Sequence, residues 1–388
     1  MGDSSRHCIA VASVDFGWGG TGALANILTA LGGRNIDTDI VLIGSRLGRH
    51  LISTDFHIRY EPSLSTMVRS GSRPGVVVSV LDAETAKESV QLEIPVVFVD
   101  LLPFLWGASQ RDWVPYDADV YLAQSVAGLG NFSSVLPAHA QPIEAVISST
   151  VSSTEAANPN RIEWDCTIVL GGLLSPQQSD RDGYVRAVVP SILRVLSETG
   201  SQSVRVVGNL SSDAIARISA LCLDLRLHHE AGPVPPSDFG QLLRRSKVIA
   251  AQPGLMTLLE ASASGRPLVR LPPQNVAGVV QTAGFDTVVG PDGAMHWPDT
   301  VVDIPYLLEL RAEGEETAND HCYRMINSFT AQQDWQGVPF IDAAREAFRC
   351  AQTVHTRRRR SFFEQSGSGG ADQVAAHIQA LLSSKARA

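Results

Sequence analysis

Cysteine is scarce and scattered in this 388-residue chain: Cys8, Cys166, Cys222, Cys322 and Cys350 are odd in number and form no C-x-x-C pair. That usage excludes a disulfide framework and a thiolate zinc site, and it fits reduced thiols in a cytoplasmic protein. Long apolar runs are missing too. Stretches such as 95–99 and 101–106 break off well short of the roughly 20 residues a bilayer-spanning helix needs, so a soluble chain without a membrane span is expected. The opening stretch MGDSSRHCIAVASVDFGWGG has no basic segment followed by a long apolar region and does not read as a signal peptide. Arg6 stands where a myristoylation motif needs Ser or Thr. Positive charge is in deficit. With 31 Lys and Arg against 40 Asp and Glu, the net charge of −9 has the wrong sign for coating nucleic acid. The local exception, Arg357 to Arg360, reads as a solvated helix end, as counterions for the acidic body, or as a phosphate or partner contact. No repeat with a period of about 20 to 50 residues is visible, which excludes solenoids and propellers.

What is present is a strand-helix alternation, met twice. In the first half, Cys8–Val14, Asp39–Ile43, Gly75–Leu81, Val96–Asp100 and Val120–Leu122 read as short buried strands, and Thr21–Leu31 has helical spacing. Residues 148–160, SSTVSSTEAANPN, are poor in large apolar side chains and read as an interdomain linker. The alternation then restarts with strands Cys166–Leu170, Ser203–Val207, Lys247–Ala251 and Pro267–Leu271, and with helices Arg186–Ser197, Asp213–Leu221 and Met256–Ala263. Alternation of this kind implies a parallel sheet covered on both faces. The expected organisation is therefore α/β, with two Rossmann-like doubly wound domains over residues 1–150 and 160–345. A helical segment, 346–388, packs back on the body through an amphipathic stretch at 373–383, after a flexible joint at 366–370, SGSGG.

Open parallel sheets bind ligands beyond the carboxyl ends of their strands, where helix N-termini aim free N–H groups at an anion. Four strand ends matter here. The first, SVDFGWGGTGALANIL, has glycines that let a ligand approach the backbone. Gly17, Gly19 and Gly22 satisfy G-x-G-x-x-G spacing, but Asp37 and Asp39 precede the next strand instead of ending it, and the lysine of a phosphate loop is missing. Ligand loop of another class, dinucleotide loop and structural turn all stay open. Asp15, Trp18, Gly19 and Gly20 lie where substrate would sit. The second, PVVFVDLLPFLWG, brings Asp100 to the same sheet edge beside Trp106; a partly desolvated carboxylate there suits a general base, and a turn cap is the alternative. The third, Gly171-Gly172, faces a diphosphate or makes a simple turn. The fourth, AQPGLMTLLEASASGRPLVRLPPQN, stops a strand at Pro253-Gly254 and starts a helix whose Leu255, Met256 and Thr257 amides are free for phosphate oxygens. Glu260, one turn on, is placed for a ribose diol or for solvent. Gln274 and Asn275 end the next strand with amides suited to sugar hydroxyls.

In order, Gly254, Thr257, Glu260, Gly265, Pro267, Pro272, Gln274 and Asn275 resemble the donor-nucleotide half of GT-B-fold glycosyltransferases, in the branch that uses UDP-sugars. The Gly19 to Gly22 loop is similar to the Gly-Gly-Thr-Gly of the lipid II N-acetylglucosaminyltransferase, departing where that enzyme continues Gly-His and this chain has Ala23-Leu24. DFGWGGTGALANIL together with VVFVDLLPFLW resembles the cytosylglucuronate synthase group of nucleoside-antibiotic pathways.

The resemblance implies two domains facing a central cleft and transfer of glucuronate from UDP-glucuronate to cytosine with inversion. The UDP-sugar is then a substrate and no separate cofactor is required. Gly172 and 254–257 would take the diphosphate, and Glu260 the ribose. Gln274, Asn275, Arg46 and Arg49 would hold the sugar, the arginines by clamping its carboxylate. Trp18, Gly19, Gly20 and Trp106 would face the acceptor, with Asp15 or Asp100 as base. No metal is expected, since no D-x-D motif stands in a persuasive place and helix N-termini can hold the departing UDP. Small molecules are the expected partners, with no nucleic acid; a homodimer is compatible with the sequence. A sugar-nucleotide epimerase or hydrolase, or a non-catalytic nucleotide-sugar-binding subunit, is the alternative.

Overall fold

The computed structural model describes residues 7–15, 17–34, 38–45, 48–49, 51–52, 56–130, 135–148, 162–173 and 181–385. The expected linker at 148–160 and Arg46 therefore fall almost entirely outside the described residues. The first half contains β1 (His7–Ser13), α1 (Gly19–Gly32), β2 (Thr38–Ile43), β3 (Arg59–Glu61), α2 (Leu64–Arg69), β4 (Val76–Val80), α3 (Ala83–Gln91), β5 (Val96–Asp100), β6 (Val120–Gln124) and β7 (Gln141–Ile143). Its strands form one parallel sheet of seven in the order β3-β2-β1-β4-β5-β6-β7. β4 reads VVVSV and β5 VVFVD, and every residue of both is buried. Near-continuous apolar runs of this kind are typical of strands covered by helices on both faces.

The second half runs β8 (Trp164–Gly171), α4 (Arg181–Glu198), β9 (Ser203–Gly208), α5 (Ser212–Asp224), β10 (His228–Gly232), α6 (Pro236–Arg244), β11 (Ser246–Ala251), α7 (Leu255–Ser264), β12 (Leu268–Arg270) and α8 (Val276–Val289). Its five-stranded sheet is also parallel, ordered β10-β9-β8-β11-β12. Helices α9 (Ile304–Glu313), α10 (Glu315–Thr330), α11 (Ile341–Thr353), α12 (Thr356–Ser366) and α13 (Gly370–Lys385) complete the chain.

In each sheet the strand order reverses once, between β1 and β4 and between β8 and β11. Loops leaving the two strands at such a point diverge to opposite faces and open a crevice. Both crevices face the same space.

The tail is shared between the halves. Phe362 and Phe363 of α12 join the cluster of Leu258, Leu259 and Phe285 in the second half. Val374, Ala375, Ile378 and Leu382 of α13 instead pack with Ile9, Val11, Ile27 and Leu31 of the first. Residues 366–370, expected as a flexible joint, are pinned where the chain crosses. The Glu144 carboxylate accepts from Ser368 N at 2.8 Å and Gly369 N at 2.7 Å, and Ser366 Oγ accepts from Ala127 N at 3.1 Å. Two of the four arginines that precede it also have structural partners. Arg359 donates to Gly265 O at 3.2 Å, at the C-terminus of α7, where a cation meets the negative end of the helix dipole. Arg360 pairs with Glu364 at 3.3 Å.

Candidate functional site

A cavity of about 390 Å³ lies between the carboxyl edges of the two sheets, bounded by the loops after β1 and β4 on one side and after β8 and β11 on the other. Its volume is within the range of small-molecule sites.

The second-half wall is built by α7. Gly254 sits extended at φ −138°, ψ 139° and starts the helix without a side-chain cap. The first amides of a helix have no intrahelical partner, so those of Leu255, Met256 and Thr257 form a positive concave end. All three residues line the cavity. Gly265 ends the helix in the left-handed conformation at φ +66°, with its N–H on Ser262 O. This is why Gly-x-Pro follows: only glycine takes that φ without strain. Glu260 lines the same cavity and is 7% exposed. Burial pushes its carboxyl up to about 8 from an ordinary 4.5, against a smaller opposing effect of Arg244.

The β12–α8 turn is held from behind by Tyr184 Oη on Pro272 O at 2.7 Å and Trp297 Nε1 on Pro273 O at 2.6 Å. It delivers both expected amides to the lining, with different freedom. Gln274 accepts from Gln252 Nε2 at 2.9 Å. Asn275 caps α8, its Oδ1 accepting from Gly278 N at 2.8 Å, so this oxygen is committed to the fold.

Gly172 lines the cavity at the point where the halves touch. A Cβ there would meet Gly17 Cα at 2.6 Å and Trp18 N at 2.9 Å, both backbone atoms that cannot swing aside. Gly172→Ala is therefore expected to force the two loops apart by about 1 Å, destabilising by about 1–3 kcal/mol and lowering turnover by up to about 100-fold. Wild-type melting and rate in the alanine variant would refute this reading of the contact.

The opposite wall holds Trp18, Gly19, Gly20, Trp106 and Trp113. Trp106 and Trp113 stack with centroids 4.2 Å apart and planes inclined by 30°. Asp100 does not stand beside them as a free base. It is 0% exposed, and its carboxylate accepts from Leu102 N at 3.0 Å, Trp106 Nε1 at 2.7 Å and Tyr121 Oη at 2.7 Å. Burial raises it to about 6 despite those three donors. With both oxygens engaged below the cavity surface, Asp100 acts as an anchor that orients the Trp106 indole. Asp15 is exposed and lies outside the lining, as does Arg49, whose guanidinium sits 4.2 Å from the Tyr60 ring centroid.

Residues without an individual signal in the sequence complete the lining. Val207, Val234, Pro236 and Phe239 form an apolar end in the second half, and Asn26, Gln281 and Glu315 add polar groups. Asn26 was legible in principle, one turn beyond Gly22 on α1. Glu260 and Glu315 are the only charged side chains lining the cavity among the described residues. No group of three or more His, Cys, Asp or Glu side chains placed to hold a metal occurs among the described residues, and no helix among them is long and apolar enough to cross a membrane.

No protein-family model matches the chain, and no curated protein matches its sequence. Solved structures do match over nearly its whole length. MurG of Acinetobacter baumannii superposes with a TM-score of 0.53 at 14% identity, covering 97% of this chain and 99% of that one. A UDP-glucosyltransferase from Polygonum tinctorium gives 0.54 at 10% identity, covering 98% and 100%. The structure of S. aureus MnaA with UDP gives 0.55 at 10%, covering 97% of each chain. With two doubly wound parallel sheets facing one cleft, and this agreement along both halves, the chain has the GT-B fold.

Proposed function

We propose that this protein is a UDP-sugar-dependent glycosyltransferase. The observation that carries the reading is the start of α7: three free amides at a positive helix end, with the buried Glu260 carboxyl one turn on, all on one cavity wall. That set suits a diphosphate followed by a ribose diol. The apolar end at Val234, Pro236 and Phe239 suits the uracil ring. Solved structures of similar fold with UDP bound include MnaA and an anthocyanidin 3-O-glucosyltransferase, which adds support by analogy of fold.

The finer reading takes UDP-glucuronate as donor and cytosine as acceptor. Its support is the resemblance of the 15–28 and 96–106 stretches, together with an aromatic wall on which a flat ring can stack. The acceptor nitrogen attacks C1 from the side opposite UDP. The new N–C1 bond forms as the C1–O bond breaks and the acceptor N–H proton passes to a base, the configuration inverts, and the electron pair leaves on UDP facing the α7 amides. Arg49 is engaged with Tyr60 in this structure, so a clamp on the sugar carboxylate would require it to turn.

Calorimetry with UDP, followed by UDP release from UDP-glucuronate with and without cytosine, tests the reading. Release only with cytosine supports the transferase. Release without any acceptor selects hydrolysis, binding without release selects a carrier subunit, and absence of UDP heat overturns the donor site itself. Because helix amides carry the departing charge, turnover is expected to persist undiminished in excess chelator; loss restored by Mg²⁺ would refute metal independence.

A further inference from the structure

With Asp100 sealed and Asp15 outside the lining, the cavity needs another group to take the acceptor's proton. We infer that Glu315, contributed by the second domain, is the general base for an acceptor seated against the Trp106 wall. The inference rests on the glycosyltransferase reading above.

Three observations meet at this residue. Glu315 opens α10 directly after Gly314 and lines the cavity. Its carboxylate is held by the Asn319 side chain one turn on, yet Oε2 is buried without a hydrogen-bond partner. A buried acceptor atom left without a donor is costly, and because the residue itself lines the cavity, a turn of the carboxylate would offer that oxygen to a substrate donor. The preceding helix then ties this corner to the acceptor side. Arg311 donates to Phe104 O at 3.2 Å and Leu105 O at 3.0 Å, the two residues immediately before Trp106. The base therefore arrives from the donor domain but is fixed to the acceptor domain's turn, so its position is set by closure of the cleft.

The electrostatics suit the role. Burial raises the Glu315 carboxyl above its ordinary range, with Arg311 and the Asn319 hydrogen bond pulling the other way. Tyr323 is the other titratable group that interacts with it from α10, and burial keeps that phenol neutral. Glu260 is the remaining carboxyl in the lining. In the step itself, the acceptor N–H or O–H bond breaks as its heteroatom bonds to C1, the proton passes to the Glu315 carboxylate, and the electron pair of the C1–O bond departs with UDP. A base must be ionised to accept, so the rate falls as pH drops through the Glu315 pKa.

The test uses Glu315→Gln in the full chain. Calorimetry is expected to give UDP affinity within about threefold of wild type, since the reading assigns UDP to the α7 amides and Glu260 and assigns this side chain only the acceptor's proton. With UDP-glucuronate and cytosine, kcat is expected to fall at least about 100-fold with little change in KM for the donor, and the acid limb of the kcat profile should vanish. Azide, a nucleophile with no proton to lose, is expected to restore UDP release in the variant, and Glu315→Asp should recover part of the rate. Turnover within about tenfold of wild type, an unchanged acid limb, or loss in Asp15→Asn but not here overturns the inference. Failure of azide to restore release in a variant that still binds UDP assigns Glu315 a structural role and also overturns it. A wild type that binds no UDP overturns the donor reading instead.

Discussion

Replacing Glu260 by glutamine is expected to weaken UDP binding about 10- to 100-fold while making the ligand-free protein more stable at alkaline pH. The first effect follows from the ribose. An ionised carboxylate offers two acceptor oxygens to a diol, whereas glutamine offers one and turns an N–H₂ donor toward the second hydroxyl. The second effect follows from linkage. The folded carboxyl titrates near 8 against an ordinary 4.5, so between those values the folded chain keeps a proton that the unfolded chain has released. The contribution is fully present below the unfolded pKa and is lost as pH rises through the folded one. The wild-type loss across that window is on the order of a few kcal/mol, and glutamine, which does not titrate, removes it. Denaturant midpoints at pH 5 and pH 9 read the difference. An equal slope in both proteins would sink the assignment, as would undiminished UDP heat in the variant. In the wild type, UDP affinity should itself tighten as pH approaches the Glu260 pKa, because the diol stabilises the ionised form.

Asp100→Ala is expected to cost about 3 kcal/mol or more, since it leaves the Leu102 N–H, the Trp106 indole N–H and the Tyr121 hydroxyl without their common acceptor. Asp100→Asn separates anchor from base. Its oxygen can still serve the indole and the phenol, but the amide N–H₂ then faces the Leu102 N–H, two donors in opposition. A loss of about 1–3 kcal/mol is expected, with weaker Trp106–Trp113 coupling in near-UV dichroism and a raised KM for the acceptor. Burial raises this carboxyl from 3.8 to about 6, so its stabilisation is complete below 3.8 and lost as pH climbs through 6. The asparagine variant should lack that slope. If it folds with wild-type stability and yet loses all turnover, Asp100 is a base after all.

These two carboxyls show where reading along the chain ends. Glu260 was legible because everything that orients it is local: Gly254 starts the helix, Gly265 stops it, and the spacing between them puts the side chain one turn past the free amides. Helix starts and stops depend on a few adjacent residues, so α7 appears at nearly its full length from the string alone. Asp100 looked equally promising at the end of an apolar strand. Its fate was set by Tyr121, 21 residues away on the neighbouring strand, which no local pattern connects to it. Glu315 carried no signal at all, because its role depends on α10 reaching across to a turn in the other half.

The same division runs through the architecture. Buried central strands such as β4 and β5 declare themselves by near-continuous Val-rich runs, because both faces are covered by helices. Edge strands β3, β7 and β10 escape notice: they are three to five residues long, partly exposed and mixed in polarity, and pairing alone makes them strands. The flexible look of 366–370 reflected its small residues, while Glu144 supplies from afar the hydrogen bonds that hold it. By itself the sequence determined the two parallel sheets, the uncapped helix start after Gly254 and the glutamate one turn beyond it, since these follow from periodicity and nearest neighbours. Only the tertiary structure decided which carboxyls face the cavity and which are sealed, because burial and hydrogen-bond partners depend on contacts between elements far apart in the chain.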